Sequence, residues 1–134
     1  MNRNRILMLL AFFAATSANA APAEFLKDFE TQARAESAAF KGFSAERGSQ
    51  FFHAKHGAEW SCASCHTDNP ASVGKHAKTD KEIKPMAPSV NPERFTDAAK
   101  VEKWFKRNCG DVLNRACTAL EKGDFLTYVL SVRK

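Results

Sequence analysis

Ser61-Cys62-Ala63-Ser64-Cys65-His66 is the stretch that decides the fold. Two residues separate the cysteines and a histidine follows the second, the CxxCH spacing that attaches a c-type haem. The spacing has a physical reason. Both sulfurs reach the two haem vinyl groups along one edge, and the adjacent imidazole falls beneath the iron, where its neutral form is a good ligand. A thioredoxin-like redox pair would sit at the start of a helix after a strand, a context that is missing here. Half of a zinc site would need a second ligand pair at similar spacing. The motif therefore points to one covalently attached haem c, held by Cys62 and Cys65, with His66 on the iron.

The surroundings of the motif agree with a fold assembled around a cofactor. From residue 57 to residue 92 the chain carries four of its five prolines and few apolar residues, so it reads as loop with at most short turns. Such a loop is unfavourable in a compact domain unless something organises it, and haem supplies that core.

Helices are expected on either side. Phe25, Leu26, Phe29, Ala33 and Phe40 recur near helical spacing over 23–40, and Gly42 follows as a stop. Ser44 is a suitable N-cap for a second helix to about Lys55, with Gly48 and Phe52 on one face. Thr96 or Asp97 caps a third, expected to end near Asn108 with Gly110 as its stop. A last helix is expected from roughly Thr118 to Val132. No strand pattern competes, so the fold class is all-α, one domain wrapped by a long central loop.

The chain's 134 residues suit a single domain. Its first segment is set apart: Asn2-Arg3-Asn4-Arg5 is basic, Ile6 to Ala15 is almost wholly apolar, and Ala18-Asn19-Ala20 offers small residues to a signal peptidase. Cleavage after Ala20 is expected, giving a signal peptide over 1–20, an N-terminal helical extension over 21–43 and the main domain over 44–134. A membrane-spanning helix needs about 20 apolar residues, so the mature form is read as exported, periplasmic and not membrane-spanning. Losing Arg3 and Arg5 lowers the net charge from +5 to +3. That balance suits docking to an acidic redox partner, such as a periplasmic or membrane-bound cytochrome. It offers no basic run for nucleic acid. The lysines at 75, 78, 81 and 84 read as an ordinary solvated loop before a docking face.

Cys109 and Cys117 remain once the motif has taken its pair. In an oxidising compartment a disulfide is their natural state; two buried thiols, or Cys109 as an iron ligand, are the alternatives. The sixth position on the iron is more open. Met86, in Lys84-Pro85-Met86-Ala87-Pro88, either ligates the iron or packs on the haem edge. His53, His56 and His76 read as surface residues. Asn108 lies on the stripe of Val101, Trp104 or Phe105 that is expected to face the haem, but a helix-terminal asparagine beside Gly110 explains its position equally well.

Beyond spacing, the chain resembles a known family. Lys81-Glu82-Ile83, Ala87-Pro88-Ser89, Pro92-Glu93-Arg94-Phe95-Thr96-Asp97, Val101-Glu102-Lys103-Trp104 and Arg107-Asn108-Cys109, with the CxxCH and Cys117, are similar to the sphaeroides haem protein family of high-spin cytochromes c. The resemblance runs from about Ser44 to the C-terminus. It implies a class I cytochrome c fold, Asn108 as sixth ligand and a Cys109–Cys117 disulfide. It also implies that the asparagine leaves on reduction and that the reduced haem binds oxygen or nitric oxide, a carrier or gas binder before a dedicated enzyme. Gly48 and Phe52 resemble the Gly/aromatic pair that such cytochromes pack against aromatics of the last helix, here Phe125 and Tyr128. The chain departs in its longer N-terminal helix and in having Met86 in the proline segment.

Overall fold

The structure is a computed structural model, described over residues 20–134. In chain order these residues form α1 (Ala20–Glu36), α2 (Ala45–His53), α3 (Ala63–His66), β1 (Gly74–Lys75), β2 (Glu82–Ile83), α4 (Ala98–Leu113) and α5 (Ala119–Ser131). The proposed signal segment lies outside them, apart from Ala20.

Three helix starts are fixed by side chains that replace missing backbone partners. Ser44 Oγ accepts from the Arg47 N–H at 3.2 Å. Asp97 Oδ1 accepts from the Lys100 N–H at 3.0 Å. Thr118 and Glu121 form a reciprocal capping box, in which Thr118 Oγ1 accepts from the Glu121 N–H at 3.2 Å and Glu121 Oε2 from the Thr118 N–H at 2.8 Å.

The helix ends depart further from expectation. α1 ends at Glu36, not near Phe40, because a turn takes over in which the Phe40 N–H donates to the Ser37 carbonyl at 3.1 Å. α4 runs through Gly110 to Leu113 and stops at Asn114, whose left-handed backbone (φ 56°) lets its N–H close on the Gly110 carbonyl. A mid-helix glycine costs about 1 kcal/mol relative to alanine. Burial of Val112 and Leu113 in the added turn outweighs that cost. A strand pair also appears where none was expected: Gly74 faces Ile83 and Lys75 faces Glu82, antiparallel. Two residues per strand are too few to leave an alternating pattern.

The core lies where α1, α2 and α4 meet α5. Phe52 of α2 is 0% exposed, its ring 6.2 Å from Phe125 and 5.5 Å from Tyr128 of α5. Gly48 permits this approach, since a Cβ there would collide with the Asp124 carbonyl. Phe105 of α4 meets Phe125 edge-on at 5.5 Å and Phe29 of α1 at 5.7 Å. With Phe29 2% exposed, α1 shares this core. The buried carboxylate of Asp124 is fully engaged, accepting from Arg47 Nε and Nη2 at 2.7 and 2.8 Å and from the Ser44 N–H at 2.7 Å. It ties the start of α2 to α5.

Candidate functional site

The Cys62–His66 turn is built by its own serines. The Ser61 N–H donates to Ser64 Oγ at 2.9 Å and the Ser64 N–H to Ser61 Oγ at 3.2 Å, closing the turn from both ends. The His66 N–H reaches back to the Cys62 carbonyl at 3.0 Å, and Thr67 (φ 62°) ends the turn. Gly74 of β1 packs beneath it, where a Cβ would collide with the Cys65 carbonyl. The Ala77 N–H points at Cys65 Sγ, 3.3 Å away. The hairpin thus braces the motif.

The electrostatics distinguish the readings of the motif. Neither Cys62 nor Cys65 is taken up in a disulfide. Before any haem is attached, burial pushes the Cys62 thiol up to about 11, the opposite direction from the lowered thiol of an activated redox pair. Burial first, and the charge of Arg94 second, lower His66 to about 4, leaving a neutral imidazole of the kind that ligates iron. Among the described residues, no group of three or more His, Cys, Asp or Glu side chains is arranged to hold a metal ion.

The other sequence-selected residues separate clearly. Cys109 and Cys117 are joined by a disulfide, with Cα atoms 5.6 Å apart. On α4 the buried face is Val101, Phe105, Cys109, Val112 and Leu113. Trp104, 46% exposed, and Asn108, also exposed, stand four apart on the neighbouring flank, with Arg107 stacked over the indole at 5.5 Å. Asn108 is five residues short of the helix end, and capping falls to Asn114. Met86 is buried, its N–H donating at 2.8 Å to the carbonyl of Pro70, four positions after His66. The remaining histidines are engaged by backbone. His53 contacts the Ser49 and Asp68 carbonyls, His56 the Phe51 carbonyl, and His76 Nδ1 accepts from the Lys78 N–H. Two surface clefts, one at Phe51 and Leu120 and one at Phe25 and Glu102, belong to neither the motif nor this flank.

Three contributors escaped the sequence. The Ser61/Ser64 pair carries a signal, since serines three apart bracketing a turn can cap it reciprocally. Gly74 and Arg94 carry none, because their roles depend on packing between distant segments.

Residues 38–129 match the family model described as a domain of unknown function, DUF1924. The chain is 39% identical over 131 residues to the cytochrome c-type protein SHP of Cereibacter sphaeroides, across 93% of this chain and 96% of that one. This chain belongs to the DUF1924 family, and it is a monohaem c-type cytochrome. It is also 50% identical over 91 residues to cytochrome c'' of Methylophilus methylotrophus, 65% of this chain and 63% of that relative's length. The crystal structure of oxidised cytochrome c'' superposes with a TM-score of 0.77 at 39% identity, over 85% of this chain and 96% of that one. Oxidised SHP, an oxygen-binding cytochrome c, gives 0.68 at 39% identity, over 81% and 94%. The fold is thus the class I cytochrome c type, and the cofactor is one covalently attached haem c. The donor set fits that group, with two cysteines outside any disulfide at CxxC spacing beside a neutral imidazole. No helix among the described residues is long and apolar enough to cross a membrane.

Proposed function

We propose that this cytochrome is an exported, periplasmic high-spin haem protein that accepts an electron and, once reduced, binds a diatomic gas such as oxygen or nitric oxide. The haem iron supplies one-electron chemistry and, when ferrous, a coordination position for the gas. Cys62 and Cys65 would hold the macrocycle by thioethers, and His66 would be the proximal ligand. Asn108 would be the sixth. Its amide oxygen is a hard, weak donor that suits ferric iron better than the softer ferrous state, so reduction loosens it. Trp104, one turn earlier on the same flank, would cover the cofactor. The segment over 1–20 would direct export, and the electron would come from another cytochrome.

The position of Asn108 carries this reading. It is exposed at mid-helix, it has no capping duty, and its neighbour Cys109 is anchored by the disulfide. The relatives add support, since SHP is an oxygen-binding cytochrome c and haem-ligand detachment is described for cytochrome c''. Met86 is the less favoured ligand, being buried and tied through its backbone to the segment that follows His66.

Paired substitutions test the assignment. Asn108→Ala is expected to raise the affinity of the ferric protein for azide, because no amide competes, while the ferrous protein takes up carbon monoxide as before. Met86→Ala is expected to change neither. A sulfur-to-iron absorption band that disappears in Met86→Ala would replace this reading with an ordinary low-spin electron carrier.

A further inference from the structure

Lys122 is the lysine that α5 turns inward. Its side chain is 15% exposed, and lysine is rarely buried without a partner. Its ammonium stands over the edge-on pair of Phe29 and Phe105, 5.4 Å from the first ring centroid and 5.6 Å from the second. It then donates to Glu102 Oε2 at 2.8 Å. One side chain of α5 thus meets both α1 and α4.

The place of this contact on α4 is specific. Glu102, Phe105 and Cys109 recur at i, i+3 and i+7, so they share the side of the helix that meets α5. Asn108 lies between Glu102 and Cys109 in the chain and is exposed on the neighbouring flank. Two ties to the start of α5 therefore bracket it, the Glu102–Lys122 ion pair before it and the Cys109–Cys117 disulfide after it. The Arg115–Glu121 pair, with bonds of 2.8 and 2.7 Å, lies beyond the end of α4 and closes only the turn. Of the two bracketing ties, the ion pair is the one that α1 reaches, through Phe29.

Exposed ion pairs contribute little, because two long side chains must be immobilised to form them. Here the rings already hold the lysine, so the pair resists displacement of α4. A weak ligand amplifies such a constraint, since groups outside the coordination sphere decide how squarely it is presented to the metal. We propose that Lys122 is a positioning residue for the sixth ligand: paired with Glu102 it holds α4 so that Asn108 reaches the iron, and through Phe29 it makes α1 part of that hold. The proposal rests on the reading of Asn108 as the sixth ligand.

The test is azide titration of the full-length, haem-loaded ferric protein, with Lys122 substituted alone and together with Asn108→Ala. Lys122→Met removes the charge and keeps an apolar stem over the rings. Azide affinity is expected to rise about twofold to tenfold, the coupling usual within one network of side chains, while Lys122→Arg keeps the wild-type value. Added to Asn108→Ala, Lys122→Met is expected to change azide affinity no further, because the amide it positions is gone. Amide hydrogen exchange over 102–109 is expected to quicken in Lys122→Met; exchange as slow as in the wild type would overturn the proposal. An azide affinity that Asn108→Ala raises and Lys122→Met does not would overturn it too and leave the proposed function standing. So would an equal rise with and without Asn108, which is a general loosening of the haem pocket. If Asn108→Ala itself has no effect, the reading of the sixth ligand fails, and this proposal with it. If Lys122→Met yields no loaded protein, Glu102→Ala, at an exposed position, decides by the same criteria.

Discussion

Asn108 and Cys109 are adjacent on α4 and occupy opposite environments: Cys109 is buried and bonded to Cys117, while Asn108 is exposed. One residue fixes the helix where the other would meet the iron. Replacing both cysteines by alanine is therefore expected to lower stability by about 2–4 kcal/mol and to raise azide affinity of the ferric protein, since a looser helix holds the amide less well. Urea titration and azide titration of the double variant read the two effects separately.

Gly48→Ala is expected to lose about 1–3 kcal/mol, because the new methyl meets the Asp124 carbonyl and lies 2.8 Å from Tyr128 Cβ. The urea midpoint should fall with little change in slope. An unchanged midpoint would mean that α2 and α5 do not cross at this glycine.

How far the sequence reached follows from where each signal lives. The cap at Ser44, the start of α4 at Asp97 (one of two candidates with Thr96), the start of α5 near Thr118 and the Gly48/Phe52 face all depend on local spacing, and the structure places them as expected. The end of α4 was misjudged because Gly110 has open space around it and the burial of Val112 and Leu113 decides the matter, a tertiary effect. The same holds for α1, which spacing marked as an extension but which places Phe29 in the core, and for Arg94, whose partners are carbonyls nine and ten positions away.

Phe29→Ala tests the place of α1. The side chain is buried edge-on against Phe105, so truncation is expected to cost about 3–5 kcal/mol. A dispensable extension would show almost no change in thermal midpoint.

Glu121 gives a pH dependence with a definite sign. Burial alone would raise its carboxyl, but the Arg115 side chain and the Thr118 N–H together outweigh burial and lower it. A carboxylate whose folded value lies below its unfolded one stabilises above the unfolded value, and that stability is lost as pH falls through the folded one. Glu121→Gln should therefore lose stability at neutral pH and show a flatter decline through the acid range, as read by denaturant titrations from neutral pH downward. Parallel curves for variant and wild type would contradict this.

The central claim is that the sixth position opens on reduction, and the absorption spectrum of the haem-loaded protein tests it most directly. Recorded in the ferric state, then ferrous, then ferrous with carbon monoxide, it should show a high-spin ferric protein. The ferrous form should be five-coordinate and convert fully to the carbon monoxide complex. A sharp low-spin ferrous spectrum that carbon monoxide leaves unchanged would contradict it.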